Sequence, residues 1–105
     1  KRSDLAKLKN RKEIIARIKG IINFQDKYSK VEFAEVLLYL GKRDVSLPIL
    51  RDALTWARAP RYQKKAAFAL ASIKDKTCLP FLEERFFRYG YAEVETVNAL
   101  LELVL

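Results

Sequence analysis

Along the chain, apolar positions recur every three or four residues, and no stretch alternates with the period of two that marks a half-buried strand. Start and stop signals cut this pattern into six helices. Asn10 with Glu13, and Ser29 with Glu32, have capping-box spacing, in which a side-chain oxygen takes an orphan amide and the glutamate reaches back. They predict helices near 11–23 and 30–40, the second ended by Gly41 in the left-handed conformation. Asp44 or Ser46 caps a third helix reaching about Arg58, and Pro60 opens a fourth to about Ile73. Asp75 or Thr77 begins a fifth that Gly90 closes, and a sixth runs from about Ala92 to the end. Pro48 and Pro80 are read as first-turn residues, where a missing amide costs nothing.

The pattern also repeats. "LPILRDAL" at 47–54 and "LPFLEERF" at 79–86 place their prolines 32 residues apart, each after a helix, a polar loop and an aspartate. "AEVETVNALLEL" at 92–103 begins a third copy, with Ala99, Leu100 and Leu103 echoing Ala69, Leu70 and Ile73. A period of this length in a helical chain indicates stacked helical hairpins of about 30 residues. Alanines at 66, 67, 69 and 71 admit a neighbouring helix, while Leu70, Ile73, Leu79, Leu82 and Phe86 supply buried area.

On these residues the chain resembles the HEAT-repeat family, in the short bacterial form found in phycobilin-lyase-like proteins. "YQKKAAFALASIKDKTCLPFLEERF" carries the resemblance: Tyr62 at the entry position, Ala66, Ala67, Ala69, Leu70 and Ile73 along the first helix, and Asp75 in the loop. Leu79, Pro80, Leu82 and Phe86 match the second helix. Residues 29–54 are similar but looser, with a longer loop and Phe33 where Ala66 stands. The resemblance implies an all-α, right-handed α-α superhelix, a fragment of a longer array. Residues 1–28 would form a basic N-terminal cap or linker, and 29–58, 59–90 and a partial 91–105 the repeats. It also implies a non-enzymatic scaffold whose second helices line the inner face, so that Arg51, Thr55, Arg58, Glu84 and Arg88 would meet a protein partner. Two other activities known among HEAT-like proteins stay open as alternatives: nucleic-acid binding of the DNA-glycosylase kind, and chromophore handling of the lyase kind.

Composition narrows the chemistry. The chain has 105 residues, half of them hydrophobic, enough for one modest core. Histidine is absent, which removes the commonest general acid/base and the usual serine and cysteine triads. A lone Cys78 can form no internal disulfide, and no cysteine/histidine zinc cluster can be assembled. Cys78 is expected to be structural, although its place near a helix start could lower its pKa. The pairs Glu32/Glu35 and Glu83/Glu84 read as solvated helix charges. No catalytic, metal or cofactor-binding residue is therefore assigned. With no apolar run near membrane-spanning length, a cytoplasmic location is expected, membrane-associated if a span precedes Lys1 in a longer protein. A chain without methionine, even at its start, reads as part of such a protein.

The net charge is +8, and +7 of it falls in residues 1–30, where ten Lys/Arg face Asp4, Glu13 and Asp26. A helix here would bury Leu5, Leu8, Ile15, Ile18 and Ile22 and surround them with Lys7, Lys9, Arg11, Lys12, Arg17 and Lys19. Three readings are open: a solvated face, a patch for anionic lipid, and a patch for nucleic-acid phosphates. A second basic group, Arg61, Lys64 and Lys65 with Arg58, crosses a repeat junction and is read either as loop charge or as an anion site. "RFFRYGY" at 85–91 interleaves arginine with aromatics, a combination that can stack bases but more often anchors cores and protein interfaces. Val94, Val97, Leu100, Leu101, Leu103, Val104 and Leu105 cover more than one face of the last helix, which predicts further repeats, a covering chain or self-association there.

Overall fold

A computed structural model describes residues 9–56 and 58–105. Among the described residues the chain is all-helical: α1 (Arg11–Ile21), α2 (Lys27–Tyr39), α3 (Arg43–Ala53), α4 (Pro60–Ser72), α5 (Leu79–Tyr89) and α6 (Val94–Val104). Short 3-10 turns at Ile22–Phe24, Lys76–Cys78 and Gly90–Ala92 follow α1 and flank α5. The helices fall into two compact units, the first ending at Leu50 and the second running Arg51–Leu105. No described helix is long and apolar enough to cross a membrane.

The first unit is built on the apolar spacing of α1. Ile15, Ile18 and Ile22 are buried with Leu37 and Leu40, and Phe33, Val36, Val45 and Ile49 pack around them. Each such side chain contributes roughly 1.5–3 kcal/mol of transfer free energy, so this cluster holds the unit together. The caps differ from the expected ones. Asn10 stands before α1 without a side-chain capping bond. Asp26, not Ser29, caps the second helix, which starts at Lys27: Oδ1 of Asp26 accepts from the amides of Tyr28 and Ser29. Aspartate wins because it stands where the backbone is still extended, at ψ 166°, while Ser29 is already inside the first turn. The Ser29 amide, ahead of the others, holds the Asp26 carboxyl below its usual range.

Two helix ends share one motif. After α2 the amides of Gly41 and Lys42 donate back to Leu38 and Leu37, and Gly41 takes φ 90°. After α4 the amides of Lys74 and Asp75 donate to Ala71 and Leu70, with Lys74 at φ 60°. Glycine adopts this conformation freely, whereas a lysine there carries strain of about 1 kcal/mol.

α3 departs most from expectation. It stops at Ala53, five residues before Arg58, because the chain tightens into three-residue hydrogen bonds around Asp52. The Thr55 hydroxyl donates to the Asp52 carbonyl, and Nε1 of Trp56 donates to the Asp52 carboxylate. Pro48 lies inside α3, not in its first turn; it is exposed and has no amide to donate to the Asp44 carbonyl one turn back. Ser46 is buried and donates to the Lys42 carbonyl at 2.7 Å, so it is not a cap either. Pro60 and Pro80 do occupy first turns.

In the second unit α4 and α5 form a hairpin and α6 packs against both. Ala66, Ala67, Ala69, Leu70 and Ala71 are buried in α4, Leu82 in α5, and Thr96, Ala99 and Leu103 in α6. Four small side chains on one helix allow its neighbours to approach closely. Cys78 closes the loop, fully buried, its thiol donating to the Asp75 carbonyl at 3.2 Å. Burial pushes that thiol up to about 11, opposite to the lowering that a helix start suggested.

Candidate functional site: an arginine-lined groove

The second unit carries a groove of about 600 Å³ along α5. Its lining is mainly polar, with Gln63 and Thr77 beside the charged side chains, and Leu54, Pro60, Pro80, Phe81 and Tyr89 supply the apolar part. Its charged lining is Arg58, Glu84, Arg85 and Arg88.

These side chains arrive by different routes. Arg58 stands in the connection left by the early end of α3, at φ 62°, and is exposed. Nε2 of Gln63 donates to the Leu54 carbonyl at 3.1 Å and ties that connection to α4. Glu84 and Arg88 lie one turn apart on α5 and pair at 2.9 Å, with 65 % and 61 % of their side chains exposed. Arg85 is held firmly. Its Nε and Nη2 each donate at 2.7 Å to one oxygen of Glu93, and only 14 % of its side chain is exposed. Its guanidinium also lies 4.7 Å from the Tyr89 ring centre and 5.7 Å from that of Phe81. Glu93 takes a further hydrogen bond from the Thr96 hydroxyl. The Arg85 fork, foremost, drives the Glu93 carboxyl down to about 2, against the opposing effect of burial.

Three of the five expected partner residues, Arg58, Glu84 and Arg88, therefore share this groove. Arg51 and Thr55, both exposed, do not line it, and each makes a hydrogen bond elsewhere. Nη2 of Arg51 meets Oδ2 of Asp75 at 2.6 Å, while Oδ1 of Asp75 accepts from the Thr77 amide and hydroxyl. Burial raises the Asp75 carboxyl, but the bonds from Thr77 and Arg51 outweigh it and leave it below the usual range. Sequence reasoning missed Arg85 and Glu93 as a pair; their spacing of eight residues spans the end of α5 and has no helical signature.

The basic N-terminal set is divided. Lys7, with Leu5 and Leu8, lies outside the described residues. Arg11 donates through Nε and Nη2 to the Leu40 carbonyl, at 3.0 and 2.6 Å, closing the end of α2. Arg17 pairs with Glu13 at 3.0 Å, and Lys19 lies 3.7 Å from Asp44. Lys9 and Lys12 are exposed. At the repeat junction Arg61 lies 5.6 Å from the centre of the Tyr62 ring, Lys64 and Lys65 are half-buried, and of this group only Arg58 lines the groove. Past α5, Phe87 and Tyr91 are each 82 % exposed, although both rings contact Phe86 edge-on. On α6, Val94, Leu101, Val104 and Leu105 are exposed, as their spread over several faces predicts. No three His, Cys, Asp or Glu side chains converge as metal ligands among the described residues.

No family model, curated protein or solved structure matches the chain.

Proposed function

We propose that the chain is a HEAT-like helical-hairpin scaffold, of the right-handed superhelical kind, that binds a protein partner without chemistry of its own. The observation that carries this reading is the groove along α5, a mainly polar cleft where Arg58, Glu84 and Arg88 stand exposed beside a few apolar side chains. Mixed charge beside apolar surface suits a polypeptide better than a phosphate backbone, which would meet Glu84. The α4–α5 hairpin with its alanine face, and α6 laid across it, support the repeat reading.

The test is selection of peptides from a displayed library on the full chain, followed by rebinding to an Arg58→Glu/Arg88→Glu double variant. Recovered peptides should lose binding on the variant. Peptides that bind both proteins equally would move the partner site elsewhere. Tight duplex-DNA binding that weakens steeply with salt, and is lost on reversing Lys9, Arg11 and Lys12, would replace this reading with the nucleic-acid one.

A further inference from the structure

We propose that the groove accepts a short acidic stretch of the partner, and that Glu84 is an internal competitor holding Arg88 until a partner carboxylate replaces it. The inference rests on the reading of the groove as the docking site.

Charge in the groove is unevenly available. The positive charge of Arg85 is matched by Glu93, and both donors of its fork that face Glu93 are occupied. Packed against Phe81 and Tyr89, this side chain is a fixed wall. Arg58 is exposed and pairs with no carboxylate among the described residues. Arg88 offers a fork to solvent, and its partner Glu84 holds it through one nitrogen, Nη2. An exposed, single-contact pair one helical turn apart exchanges readily, whereas an incoming carboxylate can take the fork with two parallel bonds. Glu84, being largely exposed, would then return to water at little cost.

The groove thus presents two available guanidinium groups, and a polypeptide carrying carboxylates complements them. The walls of Leu54, Pro80 and Phe81 suit the methylene stems of acidic side chains. At about 600 Å³ the groove admits a segment of a few residues rather than a folded surface.

The probe is a fluorescein-labelled octaglutamate peptide titrated with the full chain at low salt and followed by anisotropy, beside a neutral Gly/Ser peptide and an oligothymidylate of equal length. Octaglutamate should bind at least about tenfold more tightly than the neutral peptide. Arg58→Gln and Arg88→Gln should each weaken it about fivefold or more, and Glu84→Gln should tighten it about two- to threefold by freeing Arg88. Amide shifts of the unmodified chain on adding octaglutamate should centre on 54–60 and 77–89, which locates binding without any variant. Shifts centred on α1 would overturn the proposal. If both arginine variants weaken binding but Glu84→Gln leaves it unchanged, the competitor role is overturned while the docking reading stands. Octaglutamate binding no better than the neutral peptide sinks the acidic class, and the library selection then decides the scaffold reading separately. Tighter oligothymidylate binding with the same arginine dependence overturns both.

Discussion

The α1 helix and the groove along α5 are both basic, yet they hold their arginines differently. On α1 the arginines are engaged within the first unit: Arg11 closes the end of α2 and Arg17 pairs with Glu13. Along the groove one arginine, Arg85, is locked by Glu93, while Arg88 is lightly held and Arg58 is exposed. Charge density along the sequence favours the first region, where Lys9 and Lys12 stay exposed, whereas exposed guanidinium groups beside apolar side chains are found in the second. The availability of a cation depends on the carboxylates and carbonyls that folding brings to it, more than on how many cations adjoin it.

The comparison can be broken most forcefully at the Arg85–Glu93 pair. Glu93→Ala should cost about 2–3 kcal/mol in urea unfolding, since it leaves a largely buried guanidinium without its partner. The pH dependence follows from the depressed carboxyl. With a folded value of about 2 against an ordinary 4.5, its contribution is complete above about 4.5 and is lost as pH falls toward 2. Glu93→Gln should flatten that part of the profile; an unchanged acid limb would show that Glu93 is not its source.

Arg11→Ala comes next, with an expected loss of about 1–2 kcal/mol through the uncapped Leu40 carbonyl and no change in octaglutamate binding. A change in peptide affinity without a change in melting would reverse the contrast between the two regions. Lys74→Gly should stabilise the second unit by about 0.5–1 kcal/mol, because glycine relieves the left-handed backbone that Gly41 already occupies without strain. Calorimetry showing destabilisation would place a hidden contact on the lysine side chain. Arg17→Gln should fall within about 0.5 kcal/mol, as exposed pairs one turn apart do. On α6, Leu101→Lys/Val104→Lys should leave stability within about 0.5 kcal/mol per site in urea unfolding, since both side chains are exposed.

The helices were legible because their apolar spacing is local. Ile15, Ile18 and Ile22 form a buried stripe, and the alanines of α4 are buried as their small size predicts. Pro60, Pro80, Gly41 and Gly90 mark their boundaries for reasons contained within a few residues. Less legible were choices between neighbouring residues of similar chemistry. Asp26 and Ser29 are both competent caps, and only the backbone direction at each selects one. The end of α3 was missed because Asp52, Thr55 and Trp56 form a hydrogen-bonded turn that no glycine or proline announces. Arg58, Glu84 and Arg88, singled out on the resemblance to HEAT repeats, line one groove, whereas Arg85 and Glu93 were not singled out.

By itself the sequence determined the helices of the described residues, the apolar stripes that build both units and the concentration of positive charge near its start, since period, size and sign belong to single residues and near neighbours. Tertiary structure alone decided which cations are available. An arginine one turn from a carboxylate, eight residues from one, or 29 residues from a free carbonyl looks the same in a composition count, and only folding sets those groups at hydrogen-bonding distance or leaves a guanidinium facing water.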